Sequence, residues 1–400
     1  MTAPPPVDPG ATPTTARSLA PDLARGGMLL LIALANVHLW IYGHPAGVRG
    51  YPQDLDGADQ VVALVQMLLV DGRAYPLFGF LFGYGIVQLS RRRGEVGLPV
   101  DAVTRLVRRR GGWMVLIGLV HGVLLWSGDI VGAYGLIAVA LAGLLVRGSD
   151  VSLLVTSAVG VFLVSVLYSG SGLAPQGADT PLLPSMTIAD PVSALLVRAV
   201  EWVGVGFLLQ AFSVFAAVAL GAWAARRRFL DEPERHRGLL VRVAVIGIAA
   251  AILGGLPFAL MTAQLWVDPP LLALALGGFL HALGGYAGGL GYAALFGLLA
   301  VRLGRGAPHH PVVRALQACG QRSLSCYLAQ SVAFALLLPA WTFGLGDGAH
   351  LWQSALYAIG TWLVILAVAA VADRRGSRGP AELLLRRLTY GPRRRATQPT

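Results

Sequence analysis

The stretch DLARGGMLLLIALANVHLWIYGH, residues 22–44, decides the fold class of this chain. After Asp-x-x-Arg-Gly it becomes an apolar run that, at about 1.5 Å per residue, covers roughly 27 Å from Gly26 to His44, close to the hydrocarbon thickness of a bilayer. Polar side chains within such a run cost free energy unless they face protein or a water-filled cavity. Because Asn36 and His38 lie inside the run, we predict a membrane helix that forms one wall of an outward-facing site.

The composition extends this prediction to the whole chain. Of its 400 residues, 56% are hydrophobic and 13% are charged, and the mean hydropathy is +0.66, whereas soluble domains carry about 25% charged residues. We therefore predict an all-α polytopic membrane protein with about ten transmembrane helices. The predicted spans lie near 27–43, 61–89, 112–127, 129–146, 151–168, 192–224, 239–261, 271–301, 316–340 and 350–372.

The placement of charge predicts the orientation. The net charge is +11, all 31 basic residues are arginine, and only Arg49, Arg73 and Arg198 fall outside the segments on the N-terminal side. This asymmetry indicates cytoplasmic termini and contact with anionic lipids at the inner face, and argues against a nucleic-acid partner. Exclusive use of arginine in a chain rich in Ala, Gly and Val suggests a GC-rich bacterial genome, so we expect the bacterial cytoplasmic membrane.

The chain divides into three predicted regions. Residues 1–16, rich in Pro, Thr and Ala, should form a disordered tail. Residues 17–378 should form the helical bundle, and residues 379–400 a cytoplasmic, amphipathic and basic tail. Cys319 and Cys326 share a helix face and are expected to pack in the bundle, and no metal-ligand spacing is recognised. The sequence leaves homo-oligomer formation open.

Ionisable side chains gather in the predicted outer half of the membrane. Asp71 and Arg73 flank a glycine, which predicts either an interfacial ion pair or a buried cation that holds an anionic acceptor. Glu201 lies one turn from Arg198, which is compatible with a simple i,i+3 pair or with a substrate contact.

The hairpin GLVHGVLLWSGDIVGAYG, residues 118–135, carries His121, Asp129 and Tyr134. Asp129 suits the cap of the following helix, but it could also orient a histidine as carboxylates do in catalytic triads. His121 is either hydrogen-bonded in the bundle or functional. Gln330, in the middle of a later span, is explained by an interhelical hydrogen bond or by a substrate contact.

Taken in order, these motifs resemble the YeiB-type membrane proteins, the family built on domain of unknown function 418. The resemblance covers nearly the whole chain and implies its architecture more than its activity. It rests on Asp22, Arg25, Gly26 and Asn36, the aromatic FGFLFGYG, the hairpin with His121, Asp129 and Tyr134, the stretch SLSCYLAQS, and the closing GPAE…RRLTYG.

The first helix is also similar to that of the lysosomal heparan-glucosaminide acetyltransferases. In that group Asp-x-x-Arg-Gly, here Asp22 and Arg25, is followed by an Asn and by a His at the outer face. Asn36 matches the Asn; His44 matches the His at a shorter spacing, and His38 competes for that position. The resemblance implies transfer of an acetyl group from cytosolic acetyl-CoA to an extracytoplasmic amino sugar.

Together the residues and the resemblance predict a transmembrane acyltransferase that takes acyl-CoA at its arginine-rimmed inner face. His44 or His121 would act as general base, Asn36 would donate to the oxyanion, and Asp129 would orient a histidine. A transporter or flippase for a small amphipathic or lipid-linked substrate is the alternative, and a sensor or scaffold without chemistry is a third. The residues predicted to contact substrate are Arg73, His38, Glu201, Tyr134 and Gln330.

Overall fold

The computed structural model describes residues 18–173, 181–304 and 310–391, so the predicted tail 1–16 and the end of the basic tail lie outside the described residues. Within these ranges the chain forms α-helices and no β-strand. The helices are α1 Leu19–Val37, α2 Gly57–Leu69, α3 Ala74–Glu95, α4 Val100–Leu124, α5 Val131–Ala140, α6 Ala142–Arg147, α7 Asp150–Ser169, α8 Pro191–Glu201, α9 Gln210–Arg226, α10 Arg237–Thr262, α11 Leu271–Leu303, α12 Pro311–Gln321, α13 Ser323–Leu337, α14 Leu351–Arg374 and α15 Pro380–Tyr390.

The prediction of an all-α polytopic membrane protein is confirmed. Seven segments of the described chain are long and apolar enough to cross a membrane, and α5 and α13 are shorter apolar helices. The total of ten spans and the side on which the termini lie stay predictions. The seven segments are Leu19–Trp40, Gly57–Glu95, Asp150–Gly172, Pro191–Arg226, Arg237–Thr262, Leu271–Leu303 and Leu351–Arg374.

Several predicted spans are interrupted where polar residues enter the bundle. The span predicted at 61–89 corresponds to the segment Gly57–Glu95, which is interrupted at residues 70–73 between α2 and α3, where Gly72 adopts φ +77°. The span predicted at 316–340 is divided at Arg322 between α12 and α13. The first helix ends at Val37 and continues as a short 3-10 turn, so His44 lies beyond it in the outer loop.

The Asp-x-x-Arg-Gly motif is explained by close helix packing. A methyl group on Gly26 would overlap the backbone of α12 at Leu316, and one on Gly320 of α12 would overlap the backbone of α1 at Asp22. The two glycines therefore let α1 and α12 touch backbone to backbone, as small residues do in membrane proteins. Arg25 lies 3.6 Å from Asp22 and donates to the carbonyl of Leu81 in α3.

The C-terminal helix α15 is tied to the bundle at its first turn. It packs against α4 and α13. The carboxylate of Glu382 accepts hydrogen bonds from the backbone N–H groups of Leu324 (2.8 Å) and Ser325 (3.2 Å), at the start of α13. A carboxylate stabilises unpaired N–H groups at a helix N-terminus, so Glu382 links α15 to the beginning of α13.

Candidate functional site

His121 and Asp129 form a buried dyad between α4 and α5. Nδ1 of His121 lies 2.8 Å from Oδ1 of Asp129, and the two side chains are 2% and 0% exposed. Because the carboxylate accepts at Nδ1, neutral His121 carries its proton there and presents a lone pair at Nε2. Nε2 has no hydrogen-bond partner among the described residues.

Asp129 also caps α5. One carboxylate thus makes both contacts considered from sequence, with the N-terminus of the following helix and with a histidine. Its carboxylate accepts from the backbone N–H of Val131 at 3.0 Å and of Gly132 at 2.7 Å. These bonds fix the carboxylate on the helix N-terminus while it holds the His121 ring. The backbone of the hairpin therefore fixes the position from which Asp129 holds His121.

A glycine of α4 lets a tryptophan close over the dyad. A methyl group on Gly122 would overlap the indole of Trp202. Trp202 begins a π-helical stretch, Trp202–Leu209, between α8 and α9. Such stretches are rare and are frequent at functional sites. Trp202 is 5% exposed and packs near Gly132, beside the carboxylate of Asp129.

A small polar pocket adjoins the dyad. Its cavity volume is about 10 Å³, enough for about one water molecule, and it is lined by side chains of α1, the 3-10 turn that follows α1, α13 and the hairpin. Tyr327 connects pocket and dyad, because it lines the pocket while its ring centroid lies 5.2 Å from that of His121. The lining residues are Ile32, Ala33, Asn36, Trp40, Trp126, Tyr327, Gln330, Ser331 and Phe334.

The two amides of the pocket retain hydrogen-bonding capacity. Nδ2 of Asn36 donates to the carbonyl of Ile32 at 2.9 Å, and Nε2 of Gln330 donates to that of Leu29 at 2.9 Å. Each amide nitrogen has a second N–H. The Oε1 atom of Gln330 has no partner among the described residues. The interhelical hydrogen bond predicted for Gln330 is thus present, and the side chain still faces the pocket.

A second buried cluster lies at the break between α2 and α3. Asp71 accepts two hydrogen bonds from Arg49 of the outer loop, at 2.7 and 2.8 Å. Of the two sequence alternatives, the ion pair between Asp71 and Arg73 is wrong, because the carboxylate of Asp71 is paired with Arg49 and Arg73 donates to the backbone carbonyl of Asp71. Burial lowers the pKa of Arg49, but the charge of Asp71, its hydrogen bonds with Arg49 and the nearby Tyr168 and Tyr75 together raise that pKa overall.

Arg73 is fully buried and has no carboxylate partner among the described residues. Its guanidinium donates to the backbone carbonyls of Asp71 and Ala251 and lies 3.2 Å from Nδ1 of His281 in α11. His38 joins this cluster and not the pocket with Asn36: its ring stacks on Tyr51 at 4.1 Å. The first helix thus contributes to two separate polar regions.

The remaining predicted site residues have structural partners. His44 contacts Asp54 at 3.2 Å and the carbonyl of Ala349 at 3.1 Å. Glu201 accepts hydrogen bonds from the hydroxyls of Ser127 and Ser185, both at 2.7 Å. The bond from Ser127 ties the turn of the hairpin to the end of α8.

The ion pair between Glu201 and Arg198 considered from sequence is wrong. Arg198 donates to the carbonyl of Val123 at 2.9 Å, and its guanidinium lies 4.2 Å from the ring centroid of Trp341. Tyr134 stacks on Phe82 of α3 at 4.8 Å and lies in the apolar core.

One group of ligand-type side chains lies where the starts of α2 and α14 meet. Asp56, Asp59 and His350 bring one potential ligand atom each within 4.8 Å of one another. Asp59 already accepts from the backbone of Trp352, and its hydrogen bond with His350 raises the pKa of that imidazole. The cluster anchors the start of α14 to α2.

Sequence reasoning missed Tyr327, the residue that joins the dyad to the pocket. It lies three and four residues before Gln330 and Ser331, on the same face of α13. This i, i+3, i+4 spacing places the three side chains on one helix face, and it is the sequence feature that could have indicated Tyr327. Trp40 and Trp126 were also missed; their rings stack at 4.5 Å across the pocket, and nothing in a single sequence pairs them.

The fold and these buried clusters define a multi-pass, all-α membrane protein. Residues 224–392 match the family model described as Protein of unknown function (DUF418). The chain is 26% identical over 228 residues to the uncharacterized protein YxaH of Bacillus subtilis (strain 168), which is 49% of this chain and 54% of that protein. It is 30% identical over 162 residues to the uncharacterized protein YeiB of Escherichia coli (strain K12), 38% of this chain and 37% of that protein.

These matches confirm the resemblance to the YeiB-type, DUF418 proteins. The chain matches about half of the length of one curated relative and over a third of the other.

Proposed function

We propose that this protein is a transmembrane acyltransferase that moves an acyl group from cytosolic acyl-CoA to an extracytoplasmic hydroxyl or amine, on a sugar or a lipid-linked acceptor. The main observation behind the proposal is the buried dyad of His121 and Asp129 with its unpartnered Nε2, next to Tyr327 of a pocket whose lining includes the amides of Asn36 and Gln330. A histidine oriented by a carboxylate is the arrangement that general-base catalysis requires.

The proposed step balances in protons and bonds. The hydroxyl or amine of the acceptor attacks the carbonyl carbon of the thioester, and Nε2 of His121 takes its proton. The carbon–sulfur bond then breaks, and the proton passes from His121 to the leaving thiolate. Asp129 stabilises the imidazolium between the two transfers. The spare N–H groups of Asn36 and Gln330 would donate to the oxyanion, where one donor contributes about 10²–10³ in rate.

Under this proposal the donor extends along helix α4, which links the arginines of its first half to His121 near its end. Its first half carries exposed arginines on the predicted cytoplasmic side, and His121 lies near its other end. Twelve residues separate Arg109 from His121, which is about 18 Å along the helix axis. An acyl-CoA held by its phosphates at the inner face would extend its thioester toward the pocket. Under this proposal the protein works in the bacterial cytoplasmic membrane, in contact with anionic lipids.

The test uses the full-length protein in nanodiscs. Acetyl-CoA and longer acyl-CoAs are titrated by calorimetry, and release of free CoA thiol is measured with an amino sugar and with phosphatidylglycerol as acceptors. The proposal predicts saturable binding and acceptor-dependent thiol release. Absence of binding by every CoA species would reject it.

A transporter is the second candidate, because of the buried cluster around Arg73. Within the described chain, the guanidinium of Arg73 is bonded to carbonyls and an imidazole but to no carboxylate. Such a cation suits an anionic substrate. Reconstituted vesicles distinguish the two functions. Uptake of an organic anion that is lost in Arg73→Gln, with no thiol release from acyl-CoA, would favour transport.

A further inference from the structure

A basic groove lies on the predicted cytoplasmic face, apart from the pocket and from both buried clusters. It forms where the end of α3, the start of α4 and the end of α15 meet, and its cavity volume is about 300 Å³. The residues that line this groove are Arg93, Leu98, Ala102, Arg105, Leu106, Arg109 and Tyr390.

The fold builds the groove from a tight turn and a returning helix. Gly97 adopts φ +81° and reverses the chain between α3 and α4. The C-terminal helix then closes the groove: Arg109 donates to the carbonyl of Leu388 at 3.3 Å, and the guanidinium of Arg93 lies 5.0 Å from the ring centroid of Tyr390. The walls are therefore held by contacts between three helices.

Positive charge dominates the groove. Three of its seven lining residues are arginines and none is acidic. Asp101, one residue before Ala102, is held by Arg147 at 2.8 Å. Arg105 is exposed and has no ion pair among the described residues. A guanidinium presents planar paired donors that match phosphate oxygens.

The rest of the lining is apolar and aromatic. Leu98, Ala102 and Leu106 are spaced four residues apart and form an aliphatic strip between the arginines. A site that takes only inorganic phosphate has no use for such a strip. The combination fits a ligand that has a phosphate group and a non-polar part, placed at the level of the membrane surface.

We propose that this groove binds the phosphate group of an amphipathic ligand at the inner membrane surface. Arg105 and Arg109 take the phosphate, and the aliphatic strip takes the adjoining non-polar part. Two sources offer this chemistry: the headgroup of an anionic phospholipid and the phosphates of CoA. The assignment to CoA rests on the proposed acyltransferase function, whereas the phosphate site itself stands without it.

The test compares a groove variant with a matched control in the full-length protein, in nanodiscs of zwitterionic lipid. The groove variant is Arg105→Gln with Arg109→Gln. The control is Arg235→Gln with Arg237→Gln, two exposed arginines of another inner segment. CoA and pantetheine, which lacks phosphate, are titrated by calorimetry, and bound phosphatidylglycerol is counted by native mass spectrometry.

The groove variant should weaken the binding of at least one phosphate-bearing probe by about 100-fold, since each guanidinium–phosphate contact contributes roughly tenfold. The control should change it less than threefold. Arg105→Gln alone, which removes no contact within the described chain, should weaken binding about tenfold. Loss of CoA binding supports the groove as the donor site. Loss of phosphatidylglycerol binding alone supports a phosphate site in the groove and rejects the groove as the site of the acyl-CoA donor. Equal effects of groove variant and control overturn the proposal.

Discussion

Replacing Asp71 should cost far more stability than replacing an exposed aspartate, because Asp71 is the only carboxylate in contact with the described cluster of Arg49, Arg73 and His281. Its side chain is 4% exposed, and its partner Arg49 is 18% exposed, with two bonds of 2.7 and 2.8 Å between them. In Asp71→Asn, the guanidinium of Arg49 loses its carboxylate partner while it stays next to the buried cluster. Removing one partner of a buried ion pair costs about 3–5 kcal/mol.

Asp101 provides the internal control. It pairs with Arg147 at 2.8 Å, but the two side chains are 68% and 49% exposed. Exposed pairs contribute about 0–1 kcal/mol, so Asp101→Asn should leave the free energy of unfolding nearly unchanged. Both variants are measured by titration with SDS in mixed micelles, followed by tryptophan fluorescence of the nine indoles in the chain.

A double-mutant cycle separates the pair from its surroundings. Arg49→Gln should lower the free energy of unfolding less in the Asp71→Asn background than in the wild type, because the carboxylate that pairs with Arg49 is already absent. Equal losses for Asp71→Asn and Asp101→Asn, or strictly additive effects of the two cluster variants, would refute the claim that this ion pair is buried and coupled.

Three further outcomes follow from contacts elsewhere in the bundle. Gly122→Ala should destabilise the protein by about 1–3 kcal/mol, because the added methyl group overpacks the contact with Trp202. Gly112→Ala in the same helix has open space around it and should be neutral or stabilising by up to ~1 kcal/mol. SDS unfolding of both variants measures the difference. His350, whose pKa is raised by its hydrogen bond to Asp59, should stabilise the fold below pH 6.5 and lose that effect as the pH rises through the raised pKa; His350→Gln should abolish this dependence in unfolding curves at pH 6 and pH 9. Glu382→Gln should loosen the C-terminal helix by about 0.5–2 kcal/mol, seen as faster proteolysis near residues 375–391 in inside-out vesicles.

Hydropathy predicted the architecture, because a membrane span leaves a strong signal in one sequence. The apolar runs at 151–168 and 350–372, for example, correspond closely to α7 and α14. The breaks at Gly72 and Arg322 were not predicted. A short interruption is stabilised by tertiary partners, such as the carbonyl contacts of Arg73, and a single sequence does not reveal those partners.

The candidate site was predictable only in part. His121 and Asp129 lie eight residues apart in one hairpin, so their proximity follows from local structure. The partners of Asp71 and Glu201 come from other segments of the chain: Arg49 reaches Asp71 from the outer loop, and Ser127 reaches Glu201 from the hairpin. Such long-range choices depend on how the helices assemble, and spacing along the sequence carries no information about them.

The most direct test of the proposed function is the rate of acyl transfer in three matched proteins: wild type, His121→Gln and His44→Gln. His121 bears an unpartnered Nε2 and lies next to Tyr327 of the pocket, whereas both ring nitrogens of His44 already have partners. We expect His121→Gln to lower the rate of acceptor-dependent CoA release by about 10²–10⁴, with donor binding intact, and His44→Gln to leave that rate within a few-fold of wild type. Full activity in His121→Gln would contradict the proposed function.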